Sequence, residues 1–164
     1  MVRVLAATIV TAISLVVTTG AQAQQPFTVD ELAQYRLTPA VFTPFEIASR
    51  SIAAVTRTDP ALERDPLFTH EIMLSDDARA AASALETRLL AHPVIVRALA
   101  DAKLTAREYT KFALALFAAR LAHGFVKAGV LRRVPEGPAA ANVAFVDAHV
   151  EEITVLLAGL GIDG

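Results

Sequence analysis

Hydrophobic residues recur at helical spacing along most of this chain, and sustained apolar/polar alternation of the strand type is nearly absent. Phe45, Ala48, Ile52 and Val55 form one stripe, and Ala78, Ala82, Leu85 and Leu89 form another. Pro93 interrupts the run, and "PVIVRALAD" resumes it as a shorter helix that donates Ile95, Val96 and Leu99. In "AANVAFVDAHVEEITVLLAGLG" one face carries Val143, Val146, Val150, Ile153, Leu157 and Leu160, while Asp147, Glu151 and Thr154 point away. No β-branched runs flank an Asn-Gly or Gly-Gly turn, and no glycine occurs between Gly20 and Gly124. The pattern predicts helices over 29–36, 44–57, 76–91, 93–102, 106–129 and 140–159. Together they make an all-α, single-domain bundle of about four main helices plus short ones.

The segment "KFALALFAARLAHGFVKAG", residues 111–129, is apolar almost all round. Phe112, Leu116, Val126 and Val130 fall on one side of the helix, with Leu114, Phe117, Leu121 and Phe125 nearly opposite. Such a helix is either a bundle's central helix or a membrane span. Arg120, His123 and Lys127 decide for the core, because charge at the centre of a span is costly and long stems at one edge reach water. Phe117 and Leu121 are therefore expected to be buried, and Lys111 exposed. The alanines and Gly124 permit close helix contact, and the short "VLRRVPEGP" connection predicts an antiparallel hairpin with the last helix.

Helix starts are written as capping boxes. Thr28 with Glu31, Thr43 with Glu46 and Thr105 with Glu108 each pair a hydroxyl cap with a glutamate three residues on. Phe27/Leu32, Phe42/Ile47 and Leu104/Tyr109 supply the hydrophobic staples, and Pro44 suits a first helical position. "LSDDA" is a weaker start, with Ser75 as cap and Asp76 and Asp77 in the first turn. Between Thr58 and Leu74, two Asp-Pro steps and no helical stripe predict a long loop. Leu67, Phe68, Ile72 and Met73 would pack it across the bundle as a strap.

The N-terminus sets the expected compartment. A basic start at Arg3, an apolar run from Val4 to Val17 and Ala21-Gln22-Ala23 read as a secretory signal peptide over residues 1–23. Residues 24–164 then form the bundle domain, with no membrane span after cleavage. The chain has no cysteine, which excludes disulfides, c-type haem attachment, thiolate zinc sites and a lipoprotein anchor. An exported chain without disulfides fits a bacterial periplasm. Fifteen basic against seventeen acidic residues give a net charge of −2, so there is no long-range attraction to nucleic acid.

Catalytic signatures are missing: no G-x-S-x-G, P-loop, G-x-G-x-x-G, H-E-x-x-H or Glu-x-x-His motif occurs. Asp76-Asp77 is better explained as a helix start than as a cation site. No metal site and no catalytic residue are predicted, and an enzyme reading has no motif behind it. The histidines carry the remaining chemistry. His70 lies in the strap, and His92, before Pro93, takes a cap or turn role. His123 and His149 sit on apolar faces, each roughly 10–15 Å along its helix from the connecting loop at 1.5 Å per residue. Two readings are open for this pair: separate core imidazoles, or the cofactor-binding ligands of haem b in a slot lined by Phe112, Leu116, Val146 and Ile153.

The span from His92 to Ile153 combines an "LT-x-R-E-Y" helix start, an Ala-rich helix and a later "NVAFV" helix. It resembles a group of small secreted all-helical bacterial proteins with no established activity. The resemblance implies a helical fold and export, carried by caps and core positions. The expected function is an exported binding or structural-association module with a protein or small-molecule partner. The alternative is a haem b- or metal-binding periplasmic bundle using His123 and His149.

Overall fold

A computed structural model of the chain describes residues 25–64, 66–134 and 136–162, with the backbone alone for Ala61, Glu63 and His70. The predicted signal peptide, Met1 to Ala23, lies outside the described residues. Helices account for the regular structure: α1 (Val29–Ala33), α2 (Pro39–Thr56), α3 (Pro60–Arg64), α4 (His70–Met73), α5 (Ala78–Ala91), α6 (Pro93–Asp101), α7 (Ala106–Lys127), α8 (Pro138–Ala148) and α9 (Val150–Gly159). Among the described residues there is no strand, and no helix is long and apolar enough to cross a membrane. The fold is all-α, in one domain around one core.

The core is built where α2 meets the first half of α7. Phe45 stacks on Tyr109 and lies against Phe112, both at 4.6 Å between centroids, and Phe42 stacks on Phe112 at 6.1 Å. Aromatic groups at such separations gain contact energy beyond the area they bury. Tyr109 keeps its hydroxyl satisfied at depth by a 2.9 Å bond with Ser49, which is fully buried on α2. α6 packs on α2, α5 lies along α7, and α8 turns back onto α7. The α7–α8 contact uses small residues: Ala115, Ala118, Ala119 and Ala122 face Ala139, Asn142 and Val143 across a narrow cleft. Asn142, buried on α8, accepts from the Leu37 backbone N–H at 2.8 Å and donates to the Tyr35 carbonyl at 3.0 Å. One side chain thus satisfies two backbone groups of the α1–α2 link and fixes that link to the hairpin.

Thr28 and Thr105 cap α1 and α7 as expected, accepting from Glu31 N–H at 3.1 Å and Glu108 N–H at 3.0 Å. Two other starts differ. α2 begins at Pro39 behind Thr38, and Thr43 and Pro44 lie inside it. The earlier start puts Phe42, Phe45, Ser49 and Ile52 on one buried face, whereas a helix starting at Pro44 leaves Phe42 outside it. Pro44 withholds an N–H from the Ala40 carbonyl, but Ala40 is exposed, where water can replace that bond. α5 is capped by Asp77, which accepts from Arg79 and Ala80 N–H, while Ser75 bonds only to the Asp77 backbone. A carboxylate two residues nearer the helix reaches its open donors better than the Ser75 hydroxyl.

The strap is more ordered than a loop, since it contains α3 and α4. Leu62, Leu67 and Ile72 are buried, and Phe68 and Met73 pack partly against the core. The last helix is broken rather than continuous: His149 closes α8 and opens α9, its N–H shared between the Phe145 and Val146 carbonyls. The break shifts the buried stripe to Val146, Ile153, Leu156 and Leu157 and leaves Val150 at 43 % exposure. In α6, Ala98 joins Ile95 and Leu99 in the core, whereas Val96 is exposed.

The largest departure lies in α7. Tyr109, Phe112, Ala113, Leu116 and Ala119 are buried, but Leu121 is 43 % exposed, Phe125 is exposed and Phe117 is half-buried. The expectation that Phe117 and Leu121 are core residues fails because, among the described residues, no helix packs tightly over that stripe and only the rim of a cleft borders it. Lys111 departs in the other direction: it is only 17 % exposed and ion-paired. We expect Leu116→Ala to cost about 2–5 kcal/mol, as for a fully buried leucine, and Leu121→Ala roughly 0.5 kcal/mol or less. Urea melts check the ranking, and equal midpoints for the two variants would contradict it.

Candidate functional site

The two histidines singled out from the sequence have separate carboxylate partners. His123 Nε2 lies 2.9 Å from Asp147 Oδ1, across the α7–α8 contact, and Lys127 Nζ approaches the same oxygen at 3.5 Å. Bonding to His123, then the charge of Lys127, holds the Asp147 carboxyl below the usual aspartate range. His149 Nδ1 lies 2.8 Å from Glu152 Oε2, one turn ahead on α9, and its ring packs against Phe145 at 4.5 Å and Phe42 at 5.4 Å. Phe112, Leu116, Val146 and Ile153, the side chains expected along a porphyrin slot, are all buried in the core. Among the described residues no group of three or more His, Asp or Glu side chains is placed to hold a metal ion. His92 caps α6, with its Nε2 buried and without a hydrogen-bond partner among the described residues.

A second polar constellation joins α1 to the start of α7. Arg107 clasps Glu31 with two nitrogens, Nε at 3.0 Å from Oε1 and Nη2 on Oε2, while Nη1 donates to the Gln25 carbonyl at 2.7 Å. Its guanidinium lies 4.0 Å from the Phe27 ring centroid. Lys111 bridges Glu108 at 2.8 Å and Glu31 at 3.6 Å, and Tyr35 donates to Glu108 at 2.7 Å. Glu31 therefore spends its side chain on joining α1 to α7, and Glu108 on Lys111 of its own helix and Tyr35 of the α1–α2 link. Glu86 on α5, 8 % exposed, adds a carboxylate near this group. Glu31, Arg107 and Lys111 join α1 to α7, Glu108 adds Tyr35, and Glu86 only borders them, so the constellation reads as structure.

The third feature is a cleft of about 640 Å³ along the uncovered stripe of α7. Phe117, Arg120, Leu121, Gly124 and Phe125 form its floor. Phe68, Thr69 and Met73 from the strap form one wall, and Gly161 and Ile162 at the end of α9 close another. Thr110, Ala113, Phe117, Leu121 and Gly124 follow one helical stripe, buried at its start and open at its end. A Cβ placed on Gly124 would meet no atom within 4 Å, so this floor position borders open space. Volume and lining match the mostly apolar concavities of roughly 300–1,000 Å³ that hold small molecules. No protein-family model, curated protein or solved structure matches the chain.

Sequence reasoning centred on His123 and His149 passed over this cleft, although its residues were already visible as the second apolar side of α7. The missing information was how many helices surround that side.

The clasp generates a pH prediction. Hydrogen bonding by Arg107 leads the causes that lower the Glu31 pKa, so its stabilisation is full above the usual glutamate value and is lost as pH falls through the folded value. Glu86 has the opposite sign: desolvation raises its pKa against the pull of Arg107, so its ionised form penalises the fold above that raised value. The penalty disappears once pH is below the unfolded glutamate value. Glu86→Gln is expected to raise the urea midpoint at pH 7, by a margin that shrinks towards zero on acidification through the same window. A lower midpoint at pH 7 would make Glu86 a net stabilising partner of Arg107.

Proposed function

We propose that the chain is an exported helical binding protein whose ligand is a small, largely apolar molecule held in the cleft between α4, the second half of α7 and the end of α9. One observation carries this reading: Leu121 and Phe125, large apolar side chains in the second half of α7, are left open to a concave space that no helix among the described residues fills. Leaving such side chains in water forgoes about 25 cal/mol per Å² of apolar area. A ligand that removes them from water recovers part of that free energy. Concavity favours a small molecule over a flat protein face, and Met73 with three phenylalanines gives a deformable, polarisable lining. Export rests on the N-terminal sequence alone, through Arg3, the Val4–Val17 run and Ala21-Gln22-Ala23.

Gly124 supplies the test. It is helical, with ordinary backbone angles and free space beyond its Cα, so a larger side chain enters the cleft without strain. Gly124→Leu is expected to weaken binding of a neutral apolar fluorophore, N-phenyl-1-naphthylamine, at least fivefold. The same change should leave the fold as stable or raise it by roughly 0.5–1 kcal/mol, the usual gain from removing a mid-helix glycine. Unchanged dye affinity in a folded Gly124→Leu protein would sink the cleft as the binding site. A Soret band on haem titration that is lost in His123→Ala would favour the haem alternative instead.

A further inference from the structure

Arg120 sits on the floor of the cleft, and it is the one formally charged side chain among the described residues that line it. It is half-buried and stands among Phe117, Leu121 and Gly124. The other cations on α7 are spoken for: Arg107 by Glu31, Lys111 by Glu108 and Glu31, Lys127 by Asp147. Among the described residues, Arg120 has neither an ion pair nor a hydrogen bond. A guanidinium beside an apolar concavity, partly shielded from water and without a carboxylate, is matched by an anion. Its planar fork suits a carboxylate in particular, through two parallel charge-assisted bonds.

We propose that the ligand of this cleft is a small amphiphilic carboxylate, its apolar body against Phe117, Leu121 and Phe125 and its carboxylate on Arg120. The proposal rests on the cleft reading above and adds the ligand's charge to it. Thr69 is the one hydroxyl side chain among the described residues of the lining, so selectivity for an anionic end falls mainly to Arg120.

The test uses the whole chain and three probes: dodecanoate and its uncharged match dodecanol, both kept below micellar concentration, and acetate as the head group alone. Binding is followed by displacement of the neutral fluorophore and by titration calorimetry. Dodecanoate should bind the unsubstituted protein more tightly than dodecanol, and acetate should not bind measurably. Arg120→Gln should weaken dodecanoate about tenfold, the ratio carried by one charge-assisted hydrogen bond, and leave dodecanol unchanged. Arg120→Lys, which keeps the charge and loses the fork, should fall between the two. Thermal melts followed by circular dichroism establish that each variant is folded.

Equal affinity for dodecanoate and dodecanol in the unsubstituted protein would overturn the proposal while leaving the cleft intact. So would equal losses of both ligands in Arg120→Gln. Failure of the fluorophore and dodecanol to bind at all would remove the cleft reading itself. Sedimentation with phosphatidylglycerol vesicles, with no binding of monomeric dodecanoate, would assign Arg120 to a membrane surface and also overturn the proposal.

Discussion

The structure depends on how a helix that is apolar on every side gets covered. α7 runs for 22 residues, about 33 Å at 1.5 Å per residue, and its sequence offers no polar face to water over most of that length. Around its first half the demand is met: α2 brings Phe45 and Ser49 against Tyr109 and Phe112, α5 lies alongside, and Leu116 is 1 % exposed. Along its second half α8 closes in on the alanine-lined side, where Leu32 and Ala33 of α1 also border the narrow cleft. The strap and the chain's C-terminal turn then stand off from the remaining stripe rather than packing into it. The cleft follows from this shortfall, because a small domain has too little helix to enclose an all-apolar one along its whole length.

The clasp at the other end of α7 explains why the covered half stays covered. α1 is a five-residue helix with no buried residue of its own, too short to persist on propensity. It is retained by Phe27 under Arg107, by the two-pronged Glu31–Arg107 contact and by Tyr35 on Glu108. Side chains at 17–31 % exposure place these pairs between surface and interior. There an ion pair is screened less than at the surface and desolvated less than in the core. Asn142 completes the arrangement by binding the chain that leads from α1 into α2. Three segments far apart in sequence are thereby fixed around α7.

These contacts mark how far the sequence is legible. Thr28 and Thr105 were readable as caps because capping is settled within four residues, and the stripes of α2 and α5 because burial follows helical period. Thr43 carries as good a local signal and reads as a cap too, yet it lies inside α2. What moved the start to Pro39 is the burial of Phe42 against Phe112 and Phe145, which the local pattern does not contain. The break at His149 is similar: nothing in "DAHVEE" stops a helix by propensity, yet the ring packs on Phe42 and Phe145 and α9 swings to bury Leu156. Export, read from the first 23 residues, belongs to a segment whose meaning is local sequence, and the fold neither adds to it nor subtracts from it. For the cleft, period gave the right residues and the wrong environment, because a helical wheel reports which side chains share a face and not whether anything faces them.

Arg107 and Arg120 put that distinction in chemical terms. They lie on the same helix, thirteen residues apart, and nothing intrinsic to either tells one from the other. Arg107 meets a carboxylate, a carbonyl and an aromatic face, so its charge is matched within the fold and its loss would be felt as loosened α1. Arg120 meets apolar side chains and open space, so its charge is matched by nothing among the described residues and its stem contributes mainly contact area. Partial desolvation of an unmatched cation costs free energy, and a small domain has many neutral residues able to fill a half-buried helical position. The cost is offset when an anion comes to the same place, and the apolar floor beside it favours an anion that brings an apolar body. Arg120 is short of the water or counter-charge it needs, the exposed Leu121–Phe125 stripe is short of apolar cover, and a single amphiphile would relieve both.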